Sequence, residues 1–79
     1  MNEQVDQQLR KMSYEHLSPH VGLLDPGMLR DPARLDDGAN SVLKAYLKQP
    51  VTLAELSPEL AEHVRLEVKR AIRRFMTDR

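Results

Sequence analysis

The fold is decided by residues 57–79, SPELAEHVRLEVKRAIRRFMTDR, which join a helix start signal to a long apolar repeat. Ser57 is a preferred capping residue, and Pro58 suits the first helical position because the amide hydrogen that it lacks would have no partner there. The apolar positions follow helical spacing. They are Leu60 or Ala61, Val64, Val68, Ala71 or Ile72, and Phe75. Early glutamates and late arginines also match the helix dipole, so the stretch predicts a helix over 58–77.

The charged side chains of this helix fall mostly outside the apolar stripe. Those outside the stripe include Glu62, Arg65, Glu67, Lys69, Arg70, Arg73 and Arg74. The cations recur at a spacing that can direct several positive groups toward one acidic protein surface or one phosphate backbone. The alternative is a solvated face whose charges pair with Glu62, with Glu67 and with the acidic N-terminal half of the chain. Phe75 and Met76 fit either the core or an exposed docking surface.

A capping box precedes this helix. Thr52 is followed three residues later by Glu55, with Val51 and Leu56 in the positions of a hydrophobic staple. Because Ser57-Pro58 starts the next element, only one helical turn fits, and the sequence predicts it at 53–56.

The middle of the chain predicts a second helix over 32–49. Asp31 and Pro32 supply the cap and the first helical residue, and Pro50 closes the segment. Its apolar face holds Leu35, Ala39, Val42 and Tyr46, with Leu43 and Leu47 beside it. Gly38 is a candidate break, since glycine costs about 1 kcal/mol in a helix interior. A short turn to Leu35 and a new helix capped by Asp36 or Asp37 is therefore the alternative.

The N-terminal third predicts a first helix over 3–17. Val5, Leu9, Met12 and His16 or Leu17 recur on one side, and Ser18-Pro19 should end the helix because proline disfavours helical backbone at the residue before it. Residues 18–31 mix proline and glycine with aliphatic side chains. That mixture predicts a packed loop rather than a disordered linker.

These elements predict an all-α fold: one small three-helix domain over residues 1–79, with an extra one-turn helix and a packed loop that contains proline and glycine. A chain of this length buries only roughly 60 % of its unfolded surface, which leaves little room for a catalytic pocket. No nucleophile motif or phosphate loop is present, so we expect no catalytic residues and no cofactor. His16, His20 and His63 lack the spacing of a metal site, because Pro19 separates the first two.

The charges of the chain are unevenly distributed, which favours binding through a local charged surface over binding through a uniformly charged one. Acidic and basic residues balance at 12 each, yet the first half is acidic and the second half basic. A neutral total argues against a dedicated nucleic-acid binder. The chain has no cysteine, a polar N-terminus and no long apolar run, so we expect a cytoplasmic protein without a membrane span.

We therefore predict a non-enzymatic regulatory or adaptor protein that binds another protein through helical surfaces. The predicted partner-binding residues are Arg65, Lys69, Arg70, Arg73, Arg74, Phe75 and Met76. The alternative is a small DNA-binding regulator that uses the basic C-terminal helix, although Glu59 and Glu62 at the start of that helix would repel phosphates. A homodimer is also possible if two copies bury Val68, Ile72 and Phe75 across a two-fold axis.

Overall fold

The structure, a computed structural model, describes residues 3–76, and every regular element in that range is helical. The elements in chain order are α1 (Glu3–Lys11), a long 3₁₀ helix (Tyr14–Leu23), a short 3₁₀ helix (Pro26–Leu29), α2 (Pro32–Leu47), a 3₁₀ turn (Leu53–Glu55) and α3 (Pro58–Met76). The predicted all-α fold is confirmed, and none of the described helices is long and apolar enough to cross a membrane.

Both long α-helices begin where the capping signals predict. The Asp31 carboxylate accepts hydrogen bonds from the amides of Ala33 at 3.0 Å and Arg34 at 3.5 Å, and Ser57 Oγ accepts one from the amide of Leu60 at 3.3 Å. These contacts satisfy amides that have no partner inside the helix.

The ends of the predicted elements need small corrections. α2 ends at Leu47, two residues before the predicted end, because Lys48 adopts left-handed backbone with φ 57°. The one-turn helix is a 3₁₀ turn that ends at Glu55, and the Glu55 carboxylate accepts the Thr52 amide at 2.8 Å, as the capping box requires. α3 is helical to Met76, and the predicted last residue, Thr77, lies outside the described residues.

The first helix is shorter than predicted. α1 ends at Lys11 instead of reaching residue 17. The Met12 amide still donates to the carbonyl of Leu9, but the two amides after it find side-chain acceptors instead of carbonyls one turn back. The amide of Ser13 donates to His16 Nδ1 at 3.0 Å, and the amide of Tyr14 donates to the Glu67 carboxylate at 3.0 Å. The chain continues as the long 3₁₀ helix, and Pro19 lies inside this element instead of ending a helix.

The segment predicted as a packed loop is packed, but much of it is 3₁₀ helical. Leu24 is buried, and Met28 and Leu29 pack against the core. The Asp25 carboxylate fastens the short 3₁₀ helix by accepting the Gly27 amide at 2.8 Å and by pairing with Arg34 of α2. The hydrogen bond from the Gly27 amide is the main reason that the pKa of Asp25 is lowered. Arg34 lowers this pKa further, and partial desolvation of the carboxylate opposes the shift.

The hydrophobic core draws on the three α-helices, the long 3₁₀ helix and the 3₁₀ turn, and the short 3₁₀ helix packs against it with partly buried side chains. The long 3₁₀ helix packs against both α2 and α3, and α1 packs against α3. The buried apolar residues are Val5, Leu9, Met12, Leu17, Leu24, Leu35, Ala39, Val42, Leu43, Leu47, Val51, Leu53, Leu56, Leu60, Ala61, Val64, Val68, Ala71 and Ile72. Val68 and Ile72 have no exposed area in the single chain. The hypothesis that a dimer buries these two side chains is therefore wrong.

Gly38 does not interrupt α2, so the alternative with a new helix capped by Asp36 or Asp37 is wrong. The glycine instead makes space for a neighbouring side chain. A Cβ atom at position 38 would lie 2.6 Å from Sδ and 2.7 Å from Cε of Met28. Met28 of the short 3₁₀ helix thus occupies the place of the missing side chain, which ties that helix to α2.

We expect Gly38→Ala to change the free energy of unfolding by less than about 0.5 kcal/mol in the native chain, because the usual gain of about 1 kcal/mol is offset by displacement of Met28. In a Met28→Ala background the same substitution should stabilise by about 1 kcal/mol. Denaturant titration of the four variants measures this coupling. Equal gains in both backgrounds would show that Met28 does not compete for the space.

Candidate functional site

The outer face of α3 consists of five side chains spaced three or four residues apart. They are Glu59, Glu62, Leu66, Lys69 and Arg73. This spacing brings them to one side of the helix, opposite the core. Lys69 is half-buried and the other four are exposed. Leu66 keeps 42 % of its surface exposed, and Leu23, at 43 %, is the other large apolar side chain with this exposure among residues 3–76.

Arg65, one of the predicted partner-binding residues, is engaged within the chain. Its Nε donates to Asp36 of α2 at 2.9 Å, and its Nη1 donates to Glu62 at 3.4 Å. The hydrogen bond to Asp36, more than the charge of Glu62, raises the pKa of Arg65. The guanidinium therefore joins α3 to α2.

Lys69 borders a depression of about 340 Å³ between α3, α2 and the short 3₁₀ helix. Its apolar lining comes from Met28, Leu29, Pro32 and Leu35, and Asp36 and Arg65 complete the rim. Lys69 makes no ion pair with any described residue. The ion pairs within residues 3–76 are formed by Arg34, Arg65 and Arg70. Lys69 is therefore a half-buried cation, with no ion pair to a described residue, beside an apolar surface.

Three arginines surround a second depression of about 340 Å³, on the side of α3 that faces the long 3₁₀ helix. Arg70, Arg73 and Arg74 line it together with Tyr14. All three arginines are exposed, and Tyr14 is half-buried. The arrangement gathers positive charge around an aromatic side chain.

Glu67 contacts two residues that line this depression, Tyr14 and Arg70. The sequence pattern predicted the wrong environment for Glu67. The pattern put Glu67 outside the apolar stripe, but the residue is only 3 % exposed. Its carboxylate accepts the amide of Tyr14 at 3.0 Å and Nη1 of Arg70 at 3.1 Å. The spacing of Glu67 and Arg70 was a visible signal for their pairing, whereas nothing local indicated the burial.

Phe75 and Met76, the apolar members of the predicted site, are half-buried and pack against the core. The rings of Phe75 and Tyr14 have centroids 6.2 Å apart and are tilted by 48°. The core interpretation is therefore confirmed in part, because each side chain packs against the core. Each also keeps some exposed surface, and its use for docking stays a prediction.

Two of the histidines have defined partners within the chain. His16 stacks on Tyr46 with ring centroids 6.3 Å apart, and His63 Nε2 donates to the carbonyl of Met12 at 3.0 Å. In the described part of the chain, no three histidine or carboxylate side chains come together in a way that could hold a metal ion.

The predicted site thus divides into two parts. Arg65 and Lys69 lie toward α2, whereas the other five lie in the last two turns of α3, where the three arginines and Phe75 are near Tyr14 and Met76 packs against the core. The second part combines charge, an aromatic ring and a flexible thioether side chain. Comparison with protein-family models, curated proteins and solved structures found no match to this chain.

Proposed function

We propose that this protein is a non-enzymatic regulatory or adaptor protein that binds an acidic segment of another protein with the C-terminal end of α3. The observation that carries the proposal is the cluster of three arginines around Tyr14. Guanidinium groups bind carboxylates with two parallel hydrogen bonds, and arginine, tyrosine and methionine are enriched where proteins meet.

The neighbouring apolar side chains favour a protein partner. Phe75 and Met76 keep part of their surface exposed beside the arginines. An amphipathic segment could place an apolar residue against them while its carboxylates meet the guanidinium groups. We place this function in the cytoplasm, because a chain without cysteine has no need of an oxidising compartment.

The competing proposal is a DNA-binding regulator. The arginine cluster supports it, since several guanidinium groups can contact phosphates together. The start of α3 argues against it, because Glu59 and Glu62 are exposed there and a recognition helix approaches DNA with its first turns. A helix-turn-helix motif would need a helix directly before the recognition helix, and only a single 3₁₀ turn, Leu53–Glu55, stands directly before α3.

Charge reversal at Arg74 tests the proposal. Arg74 is exposed in the last turn of α3, and Lys44 is a matched control because it is an exposed cation in the last turn of α2. Affinity capture from native cells should retain the same protein on the native and Lys44→Glu baits. On the Arg74→Glu bait we expect roughly tenfold less of that protein, because the reversed charge repels an acidic segment. A tenfold loss of affinity corresponds to about 1.4 kcal/mol.

The captured protein is then purified, and its dissociation constants for the three chains are measured. The same ratio with purified components supports the proposal. Equal binding by Arg74→Glu would place the interface elsewhere. Retention of nucleic acid that is lost steeply as salt is raised would favour the DNA-binding alternative.

A further inference from the structure

The outer face of α3 carries its charges in a symmetrical order. Along the helix the face presents Glu59, Glu62, Leu66, Lys69 and Arg73, so two acids precede the leucine and two bases follow it. The exposed leucine, Leu66, is the ninth residue of this 19-residue helix, next to its middle. Such a face is complementary to itself when it is turned around.

The positions match in an antiparallel arrangement. Glu59 and Arg73 each lie seven residues from Leu66, and Glu62 and Lys69 lie four and three residues from it. If a second α3 runs in the opposite direction across Leu66, each glutamate meets a cation of the other helix. A parallel arrangement would set acid against acid and base against base, which is unfavourable.

We propose that a second copy of this chain covers the outer face of α3, with the two helices antiparallel and Leu66 next to the two-fold axis. A two-fold interface uses the same surface on both subunits and must therefore be complementary to itself. The spacing of three and four residues is also that of a seam between paired helices.

The single chain leaves two charged positions of this face without an internal ion pair. Neither Glu59 nor Lys69 forms an ion pair with another described residue. Leu66 exposes 42 % of its surface between them. A second α3 would give the glutamate and the lysine partners of opposite charge and would remove the leucine from water.

This dimer differs from the one that the sequence suggested. Its contacts are side chains outside the core, whereas the sequence-based hypothesis used Val68 and Ile72 of the core. It shares Arg73 with the arginine cluster of the proposed function, whereas Arg74 and Tyr14 lie on the side of α3 that faces the long 3₁₀ helix. Leu66 does not line that cluster, so Leu66→Ala tests the dimer and Arg74→Glu tests the partner site separately.

The interface is small and mostly charged, so we expect a weak dimer that depends on ionic strength. Salt at 1 M shortens the screening distance to roughly 3 Å and weakens exposed ion pairs. In sedimentation experiments at low salt, the apparent mass should rise from 9.1 kDa toward twice that value as the concentration increases. It should fall back toward the monomer at high salt.

Two charge variants test the pairing directly. A basic variant carries Glu59→Lys with Glu62→Lys, and an acidic variant carries Lys69→Glu with Arg73→Glu. We expect each variant alone to stay monomeric, because its outer face repels its own copy. An equal mixture of the two should form a dimer again at low salt.

Leu66→Ala provides a milder test that should leave the fold intact, since the side chain is exposed. It should weaken dimerisation roughly tenfold, as expected when an apolar side chain is truncated at the centre of an interface. Leu23→Ala, at the other exposed leucine, is the matched control and should dimerise like the native chain. Circular dichroism of every variant verifies the helical content.

Recovery of the dimer in the mixture, together with weaker dimerisation of Leu66→Ala but not of Leu23→Ala, supports the proposal. A native chain that remains monomeric at millimolar concentration and low salt would overturn it. So would charge variants that dimerise alone as well as the native chain does, because the interface would then lie on another surface.

Discussion

Leu17→Ala should lower the free energy of unfolding by about 3 to 5 kcal/mol, at the upper end of the cost of leucine truncations in protein cores. Leu17 has no exposed surface, and it lies in the long 3₁₀ helix, which packs against both α2 and α3. Truncation would leave a cavity where three elements meet. A domain of this size is typically stable by only about 4 to 12 kcal/mol, so much of the stability would be lost.

Leu23→Ala is the matched control for this measurement. It is the same substitution in the same 3₁₀ helix, but Leu23 is 43 % exposed. We expect a loss of less than about 1 kcal/mol, because little buried surface is removed. Denaturant unfolding followed by circular dichroism gives both values. Similar losses at the two positions would contradict the placement of Leu17 at the junction of three elements.

The sequence predicts the starts of the long helices well, but it does not predict where α1 ends and the long 3₁₀ helix begins. The starts of α2 and α3 follow from signals a few residues apart, since Asp31 and Ser57 cap the amides that come directly after them. The end of α1 depends partly on Glu67, which accepts the amide of Tyr14 from 53 positions further along the chain. No local pattern carries that information, so the predicted first helix was too long.

The candidate site shows the same division. The helical spacing predicted that the arginines of α3 lie outside the core, and Arg70, Arg73 and Arg74 are exposed in the structure. The spacing did not predict that Arg65 is held by Asp36, which lies 29 positions earlier in the chain. Side chains that join distant segments are identified only when both segments have been placed in space.

Glu67→Ala is the second large effect that we expect, with a loss of about 2 to 4 kcal/mol in the free energy of unfolding. The ion pair with Arg70 contributes little, because Arg70 is 56 % exposed and exposed pairs are weak. The larger contribution is the hydrogen bond from the Tyr14 amide, because a donor left without an acceptor in a part-buried place is costly.

Glu62→Ala is the control for Glu67→Ala, since Glu62 also pairs with an arginine three residues later but has a side chain that is 70 % exposed. It should cost less than about 0.5 kcal/mol.

Replacement of Glu67 by glutamine separates the two roles of its carboxylate. Glutamine keeps an acceptor oxygen for the Tyr14 amide but replaces the oxygen that accepts Arg70 with an NH2 group, so it removes the ion pair and keeps the hydrogen bond. Because the ion pair contributes little, Glu67→Gln should cost less than half as much as Glu67→Ala. Hydrogen exchange of the Tyr14 amide gives a local readout. It should be fast in Glu67→Ala and remain protected in Glu67→Gln and Glu62→Ala. Equal destabilisation by alanine and glutamine would mean that charge, rather than the acceptor, joins α3 to the long 3₁₀ helix.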